Sequence, residues 1–200
     1  MISYASRTGT KRNLAALRAA GWRLLVSARG VLRAEGFQYA IDNGAWTSFQ
    51  EGKPFDVAAF ERAVDLLGNG ADWIVVPDVV MDARASLASA EEWLPRLDGR
   101  PLLLAVQNGM EPADVRAWLG PRCGIAIGGD TAWKERTARQ WGELARERGA
   151  HLHMLRVNSA RRIRLCHEAG VDSIDGTSAS RFSKTVRPLD AAVRQRGFRW

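Results

Sequence analysis

Short apolar segments recur eight times along the chain, and longer amphipathic segments separate most of them. The apolar segments have the composition of β-strands: ISYAS, WRLLVSA, FQYAID, DWIVVPD, PLLLAVQ, CGIAIGG, HLHMLRV and VDSID. Helical periodicity predicts helices over residues 10–20, 56–68, 83–97, 111–119, 136–148 and 159–169. This alternation predicts a parallel α/β protein, and eight strands close a compact (β/α)8 barrel of the TIM type. An open doubly wound sheet is the competing fold.

Residue types at the helix ends support these boundaries. Asp56 and Ser159 precede apolar periods, as N-caps do, while Gly149 and Gly170 follow helix ends. The connection RGVLRAEG between the second and third strands is too short for a full helix. We therefore expect a barrel that is compact and lacks a full helix at this connection.

Length and composition predict one cytoplasmic domain spanning residues 1–200. The chain has 200 residues, of which 46% are hydrophobic, and no apolar run long enough to cross a bilayer, so no membrane partner is expected. The N-terminus lacks the apolar core of a signal peptide. With only Cys123 and Cys166, neither a disulfide framework nor a zinc site of several thiolates is expected.

The charge of the chain is concentrated near its C-terminus. Net charge is +7, and residues 151–200 hold ten Lys and Arg against four Asp and Glu. The basic C-terminal segment, residues 181–200, suits a polyanionic partner such as a nucleic acid. A solvated basic surface is the alternative.

Polar residues cluster where the predicted strands end. In both candidate folds ligands bind at the carboxyl ends of the strands. A single such residue is ordinarily a cap or a turn former. Here polar residues or glycines stand at the ends of successive strands, which predicts a carboxylate-lined pocket. The residues are Asp42, Asp78, Asp82, Gln107, Gly128, Gly129, Asp130, Met154, Arg156, Asn158 and Asp175.

The last strand presents two aspartates with different orientations. Alternation places Ser173 and Asp175 on one face and Asp172 on the other. Asp175 ends the strand, where a barrel places its catalytic groups, and Asp172 is the alternative.

The sequence lacks the motifs that are typical of several other catalytic chemistries. The chain has no Walker-type phosphate loop and no G-x-S-x-G serine motif. His151, His153 and His167 have no metal-triad spacing, and the first two are interpreted as structural. Carboxylate chemistry remains, and it suits cleavage of a glycosidic bond through a covalent sugar ester.

The ordered segments carry a family resemblance. DNGAW, VVPDVV, AVQNG, AIGGD, HMLRVNS and GVDSIDGT follow one another as the motifs of the tRNA-guanine transglycosylase family do. The chain resembles that family over roughly residues 37–183. The resemblance implies a (β/α)8 barrel that exchanges guanine for a 7-deazaguanine base.

The resemblance also implies a role for each matched residue. Asp175 would attack the anomeric carbon, and Asp42 would deprotonate the incoming base. The other matched residues would bind or stack on the base: Asp78 and Gln107 at its edge, backbone groups of Gly128 and Gly129 beside them, and Trp46 and Met154 on its faces.

Departures from the family favour DNA over tRNA. The zinc site of three cysteines and a histidine is missing, the chain is short, and Ala45 and Asn108 stand where the motifs have glycine. The small zinc-free phage-type DNA transglycosylases resemble the chain better. The expectation is therefore a pentosyltransferase that acts on DNA, with tRNA as the alternative. It would take a free 7-deazaguanine, such as 7-cyano-7-deazaguanine, as second substrate and need no cofactor. The sequence leaves the oligomeric state open.

Basic residues after the last strand are candidates for phosphate contacts. These are Arg181, Lys184 and Arg187, with Arg194, Arg196 and Arg199 further on. A solvated terminal helix is the alternative. The same two alternatives, phosphate binding and ordinary helix capping, apply to four residues near the N-terminus: Ser6, Arg7, Thr8 and Lys11.

Two other functions stay open. A nucleoside or glycoside hydrolase would use the same carboxylates but would not take up a second base. A non-catalytic nucleic-acid binder would need only the basic surface, and it would have little reason to gather three mutually repelling aspartates.

Overall fold

Eight parallel strands form a closed barrel in the order of the chain. In the computed structural model, which describes residues 1–6 and 10–195, each strand pairs with its sequence neighbours and β1 pairs with β8. The prediction of a (β/α)8 barrel is confirmed, and the open sheet is wrong. The strands are β1 (Ile2–Ser6), β2 (Arg23–Ser27), β3 (Tyr39–Asp42), β4 (Ile74–Val75), β5 (Leu102–Val106), β6 (Cys123–Ile127), β7 (Leu152–Met154) and β8 (Ser173–Gly176).

Helices surround the barrel and connect most of its strands. Within residues 1–6 and 10–195, none of them is long and apolar enough to cross a membrane. They are α1 (Lys11–Ala20), α2 (Ala45–Gln50), α3 (Val57–Leu67), α4 (Ala83–Arg96), α5 (Pro112–Val115), α6 (Thr131–Arg148), α7 (Ala160–Ala169), α8 (Ser178–Arg181) and α9 (Ser183–Arg194), with 3₁₀ turns at Gly68–Gly70 and Arg116–Trp118.

Capping chemistry explains where the helices agree with the sequence pattern and where they differ. The Asp56 and Ser159 side chains accept N–H groups of α3 and α7, and Gly149 and Gly170 adopt left-handed conformations after α6 and α7. Helix α6 begins five residues before its predicted start because the Asp130 side chain caps it. The predicted helix at 111–119 divides into α5 and a 3₁₀ turn. No helix joins β2 to β3, as expected.

Strand alternation sorts the buried side chains into two layers. The outer layer lies between strands and helices and holds most of the apolar core, including Leu24, Ile41 and Ile127. The inner layer fills the barrel. It consists of Tyr4, Leu25, Ala40, Trp73, Val75, Leu103, Ala105 and Ala126.

Small residues on β6 make room for large ones in the barrel. Gly124 and Ala126 alternate with outward-facing residues on this strand, and a methyl group on Gly124 would overlap the backbone of His151 and the side chain of Leu103. The freed space accommodates aromatic rings, with the Trp73 and His153 ring centroids 4.7 Å apart. This arrangement lets a histidine reach the barrel axis.

Helices α6 and α7 meet at a glycine. A methyl group on Gly142, in the middle of α6, would overlap the backbone carbonyl of Ala169 at the end of α7. Backbone atoms cannot escape by a rotamer change, so the overlap persists unless the helices separate.

Gly142→Ala therefore tests this packing. Alanine would gain about 1 kcal/mol of helix propensity, but overpacking against backbone costs about 1–3 kcal/mol or more. We expect a net loss in the free energy of unfolding, measured by urea denaturation. Gly120→Ala is the control, since nothing lies within 4 Å of its added methyl. Equal stability of both variants would contradict the close approach.

Candidate active site

A cavity opens at the carboxyl ends of the strands, where the polar strand ends predict a pocket. It measures about 380 Å³. Most of the predicted site residues line it together. These are Asp42, Trp46, Asp78, Gln107, Gly128, Asp175 and Arg181, joined by Ser6 and Asn158.

The Asp175 carboxylate contacts its hydrogen-bond partners through Oδ1. The side chain is 5% exposed, and its Oδ1 accepts the backbone N–H of Arg156 at 2.9 Å and lies 3.2 Å from His153 Nε2. Within the described part of the chain, no donor contacts Oδ2. The carboxylate therefore keeps one oxygen available to the cavity that it lines.

An unusual backbone conformation places Arg156 in the site. Its φ of 60° lies in the left-handed region, which a non-glycine residue adopts at some energetic cost. Its N–H donates to Asp175, while its guanidinium donates to the Gly129 carbonyl and lies 3.9 Å from the Trp46 ring centroid. Buried Lys134 donates to the preceding carbonyl, of Leu155, at 2.5 Å. Arg156 thereby joins the carboxylate to the aromatic wall of the cavity.

Asp78, Asn43 and Gln107 form a second network. Asn43 donates to Asp78 Oδ1 at 2.7 Å, and Gln107 Nε2 donates to Asp78 Oδ2 at 2.6 Å. The orientation of the Gln107 amide is fixed, because its Oε1 accepts backbone N–H groups of Met81 and Gly129. One N–H of Gln107 remains for a ligand, beside a carboxylate that has acceptor capacity left.

Gly128 and Gly129 do not present free N–H groups to the cavity. Gly128 donates to the Val106 carbonyl, and Gly129 donates to Gln107. A Cβ on Gly128 would lie 2.6 Å from Gln107 Nε2. These glycines leave space for Gln107 and hold its amide. Base binding by their other backbone groups stays a prediction.

Burial raises the pKa values of two cavity carboxyls. The pKa of Asp42 rises to about 6 through burial and then through the nearby charge of Asp175. The pKa of Asp78 also rises to about 6 through burial, although hydrogen bonds from Asn43 and Gln107 oppose the rise. Carboxyls of this kind exchange protons near neutral pH, as a general acid or base must.

Trp46 reaches the cavity from a short helix that begins directly after β3. Asn43 Oδ1 accepts the N–H of Ala45 at 2.8 Å and starts α2, and Gly44 takes a φ of 84°. A side chain on Gly44 would collide with Arg29. The DNGAW segment thus turns the chain sharply and presents the indole, which is 36% exposed.

Met154 does not line the cavity. It is 2% exposed and contacts Cys166 of α7 in the outer core, with the two sulfur atoms 3.4 Å apart. Strand alternation explains this placement, because His153 and Leu155 face inward. The prediction that Met154 stacks on a base is wrong, and Leu155 lines the cavity instead.

The basic candidates divide between two places. Arg181 lines the cavity, whereas Lys184 and Arg187 line a separate groove beside α1 that also includes Arg12. Lys11 and Arg194 are exposed. Arg7, Thr8, Arg196 and Arg199 lie outside the described residues. Phosphate binding by this set stays a prediction.

Other polar candidates have structural roles. Asp172 accepts the Leu152 N–H at 2.9 Å, which agrees with its placement away from the pocket. Asp130 caps α6 and accepts from Asn108, so it braces a loop. Among the described residues, no group of three or more His, Cys, Asp or Glu side chains is placed to hold a metal ion.

Sequence reasoning missed three residues of the site. The sequence pattern gives no role to Asn43, indicates a structural role for His153 and leaves the role of Arg156 open. Side-chain alternation along the HLHML segment predicts that His153 faces inward, because it lies on the same strand face as Leu155.

Comparisons with known proteins identify the fold and not the activity. No protein-family model matches the chain, and no curated protein matches it. Similar solved structures include an aldolase designated QR15, with 13% identity over 97% of each chain and a TM-score of 0.57. Another is 3-hexulose-6-phosphate synthase from Salmonella typhimurium, with 13% identity, coverage of 98% of this chain and 100% of that chain, and a TM-score of 0.53. Tryptophan synthase from M. tuberculosis has 14% identity, coverage of 96% and 90%, and a TM-score of 0.53.

The raised carboxyl pKa values predict how stability depends on pH. Asp42 binds its proton more tightly in the folded state, with a pKa of about 6 against 3.8 for the free group. Stability should therefore fall as pH rises from about 4 to 6 and then stay level, by about 3 kcal/mol for this group.

Asp42→Asn removes that loss. We expect the variant to gain stability over the parent protein at pH 8 but not at pH 4, in denaturant unfolding at both values. The control is Asp65→Asn, an exposed change on α3 that should have the same effect at both pH values. An equal gain at both pH values for Asp42→Asn would contradict the shift.

Proposed function

We propose that the protein is a base-exchange transglycosylase that replaces guanine in DNA with a 7-deazaguanine. The observation that carries this proposal is the pairing of two carboxyls with different environments. Asp175 Oδ1 has two partners, and no donor among the described residues contacts its Oδ2. Asp42, near enough to be affected by the charge of Asp175, has a pKa of about 6. This division suits a nucleophile beside a proton carrier.

The Asp78 and Gln107 network suits the edge of a guanine-like base. Guanine offers N–H donors at N1 and N2 and a carbonyl acceptor at O6. The Asp78 carboxylate accepts from the donors, and the remaining Gln107 N–H donates to the carbonyl. Both side chains are already fixed by protein partners, so little conformational entropy is lost when a base binds.

The proposed reaction has two displacements at the anomeric carbon. Asp175 Oδ2 attacks C1′, the bond from C1′ to guanine N9 breaks, and the departing base takes its electron pair and a proton from Asp42. The incoming 7-deazaguanine returns a proton from N9 to Asp42 and attacks C1′, which breaks the ester to Asp175. Protons and charge balance over the cycle, and the sugar keeps its configuration.

Charge supports a polymeric substrate. The net charge of +7 favours a polyanion, and Arg181 lines the cavity in which the sugar would sit. A base within a duplex has to be extruded to reach such a cavity. A free nucleoside would leave this charge without a role.

Base exchange is the direct test. The protein is incubated with DNA, and separately with tRNA, labelled in guanine, together with 7-cyano-7-deazaguanine. We expect release of label from DNA with matching incorporation of the new base. Asp175→Asn should abolish release, while Asp172→Asn, directly before β8 and outside the cavity, should retain it.

The outcomes separate the alternative functions. Release from tRNA alone would keep the chemistry and change the polymer. Release of guanine without incorporation would indicate a hydrolase. Binding without release from either polymer, across several candidate bases, would rule out the proposal in favour of a non-catalytic binder.

Salt dependence tests the role of Arg181 in phosphate binding. Removing one phosphate contact lowers the slope of log Kd against log salt by about 1. We expect this reduction for Arg181→Gln in fluorescence anisotropy with oligonucleotides. Arg164→Gln, an exposed change on α7 outside the cavity lining, is the matched control. An unchanged slope for Arg181→Gln would mean that this side chain does not contact phosphate.

A further inference from the structure

A continuous line of polar side chains crosses the inside of the barrel. His153 Nε2 lies 3.2 Å from Asp175 Oδ1, and His153 Nδ1 lies 2.8 Å from Ser173 Oγ. The same Ser173 oxygen lies 2.6 Å from His151 Nε2. His153 and Ser173 are fully buried, whereas His151 is half-buried at the opposite mouth of the barrel, before β7.

The directions of the hydrogen bonds in this line follow from the protonation states of its members, and the ionised form of Asp175 with neutral imidazoles gives one set. An ionised Asp175 has no proton to give, so His153 Nε2 must carry the hydrogen. A neutral His153 then has a bare Nδ1, which accepts the Ser173 hydroxyl hydrogen. The Ser173 oxygen in turn accepts a hydrogen from His151 Nε2. For an ionised carboxylate and two neutral imidazoles, one arrangement satisfies all the groups, and each donor points toward the carboxylate.

The surroundings keep the His153 imidazole in place. Its ring centroid lies 4.7 Å from that of Trp73 and 5.9 Å from that of Tyr4. Its Cα neighbour on β8 is Ser173, and its neighbour on β6 is the small Ala126. The ring therefore has hydrogen-bond partners at both nitrogens and aromatic contacts beside it.

Charged groups near His151 lie at the far end of the line. Asp72 and Asp172 raise the pKa of His151, but burial and the neighbouring His153 outweigh them, so that pKa is lowered. Arg23 also faces it and forms an ion pair with Asp72 at 3.0 Å. The lowered pKa favours the neutral imidazole of His151, which is the form that this arrangement of hydrogen bonds uses.

We propose that His153 is a positioning residue for Asp175, and that Ser173 and His151 lock its Nε2–H tautomer. This rests on the proposed function only for its catalytic consequence. His153 and the Arg156 N–H both hold Oδ1, so Oδ2 is the oxygen that attacks. Loss of the lock lets the imidazole turn its bare nitrogen toward the carboxylate, which repels it and displaces the attacking oxygen.

Two variants break the lock in different ways. Ser173→Ala removes the hydroxyl that donates to His153 and accepts from His151. His151→Leu keeps the hydroxyl but removes its outer donor, and His151→Gln restores an N–H near the position of Nε2. Circular dichroism and urea denaturation establish that each variant is folded before it is used.

The first readout is the tautomer itself and needs no substrate. Long-range ¹H–¹⁵N spectra of the imidazoles distinguish Nε2–H from Nδ1–H. In the parent protein His153 should be a single Nε2–H tautomer. Ser173→Ala and His151→Leu should give a mixture of tautomers, and His151→Gln should return the Nε2–H form. His167→Gln, outside this line, is the control.

The second readout is the rate of base exchange. Misplacing a reacting atom by about 1 Å costs on the order of 100-fold in rate. Ser173→Ala should therefore lower kcat by about 10- to 100-fold and leave KM unchanged, because neither Ser173 nor His153 lines the cavity that would bind the base. A change in KM alone would overturn the positioning role.

The two readouts fail separately. An Nδ1–H tautomer of His153 in the parent protein, or an unchanged tautomer in both lock variants, would overturn the inference even if base exchange is observed. The predicted tautomers without any base exchange would support the positioning of Asp175 and reject the proposed function.

Discussion

The closed barrel admits only every second side chain of each strand, and that restriction governs everything described at the site. Inward positions must share a narrow interior, so small residues such as Ala126 on one strand allow large rings such as Trp73 on another. The inward positions on β8 are Ser173 and Asp175. The geometry of the carboxylate is thus inseparable from the packing below it.

Hydrogen bonds offset the cost of burying polar groups in such an interior. Leaving a buried donor or acceptor unpaired costs about 1–3 kcal/mol. The His153 and Ser173 contacts avoid this loss, and so do the Asn43 and Gln107 contacts to Asp78. Both networks end at a cavity carboxylate, so the residues that stabilise the interior also set the orientation of the site.

The sequence was most informative where periodicity and strand ends agree. Eight apolar runs predicted the barrel, and the residues that close them predicted the cavity, including Asp42, Asp78 and Asp175. The motif match predicts that Met154 faces the pocket, whereas side-chain alternation along β7 places it on the outward face. The turn at Arg156 could not be predicted, since its backbone contacts involve distant residues: the Arg156 N–H donates to Asp175, and Lys134 donates to the Leu155 carbonyl.

The cation over Trp46 has a consequence for any flat ligand. The guanidinium of Arg156 covers one part of the indole, so a ring that stacks there must first exchange places with it. The ligand then replaces one favourable contact of the indole with another, so only a ligand that stacks strongly gains binding free energy there. A guanidinium displaced in this way would carry its positive charge to a new position, so an occupied cavity would present a different electrostatic surface to the solvent than an empty one.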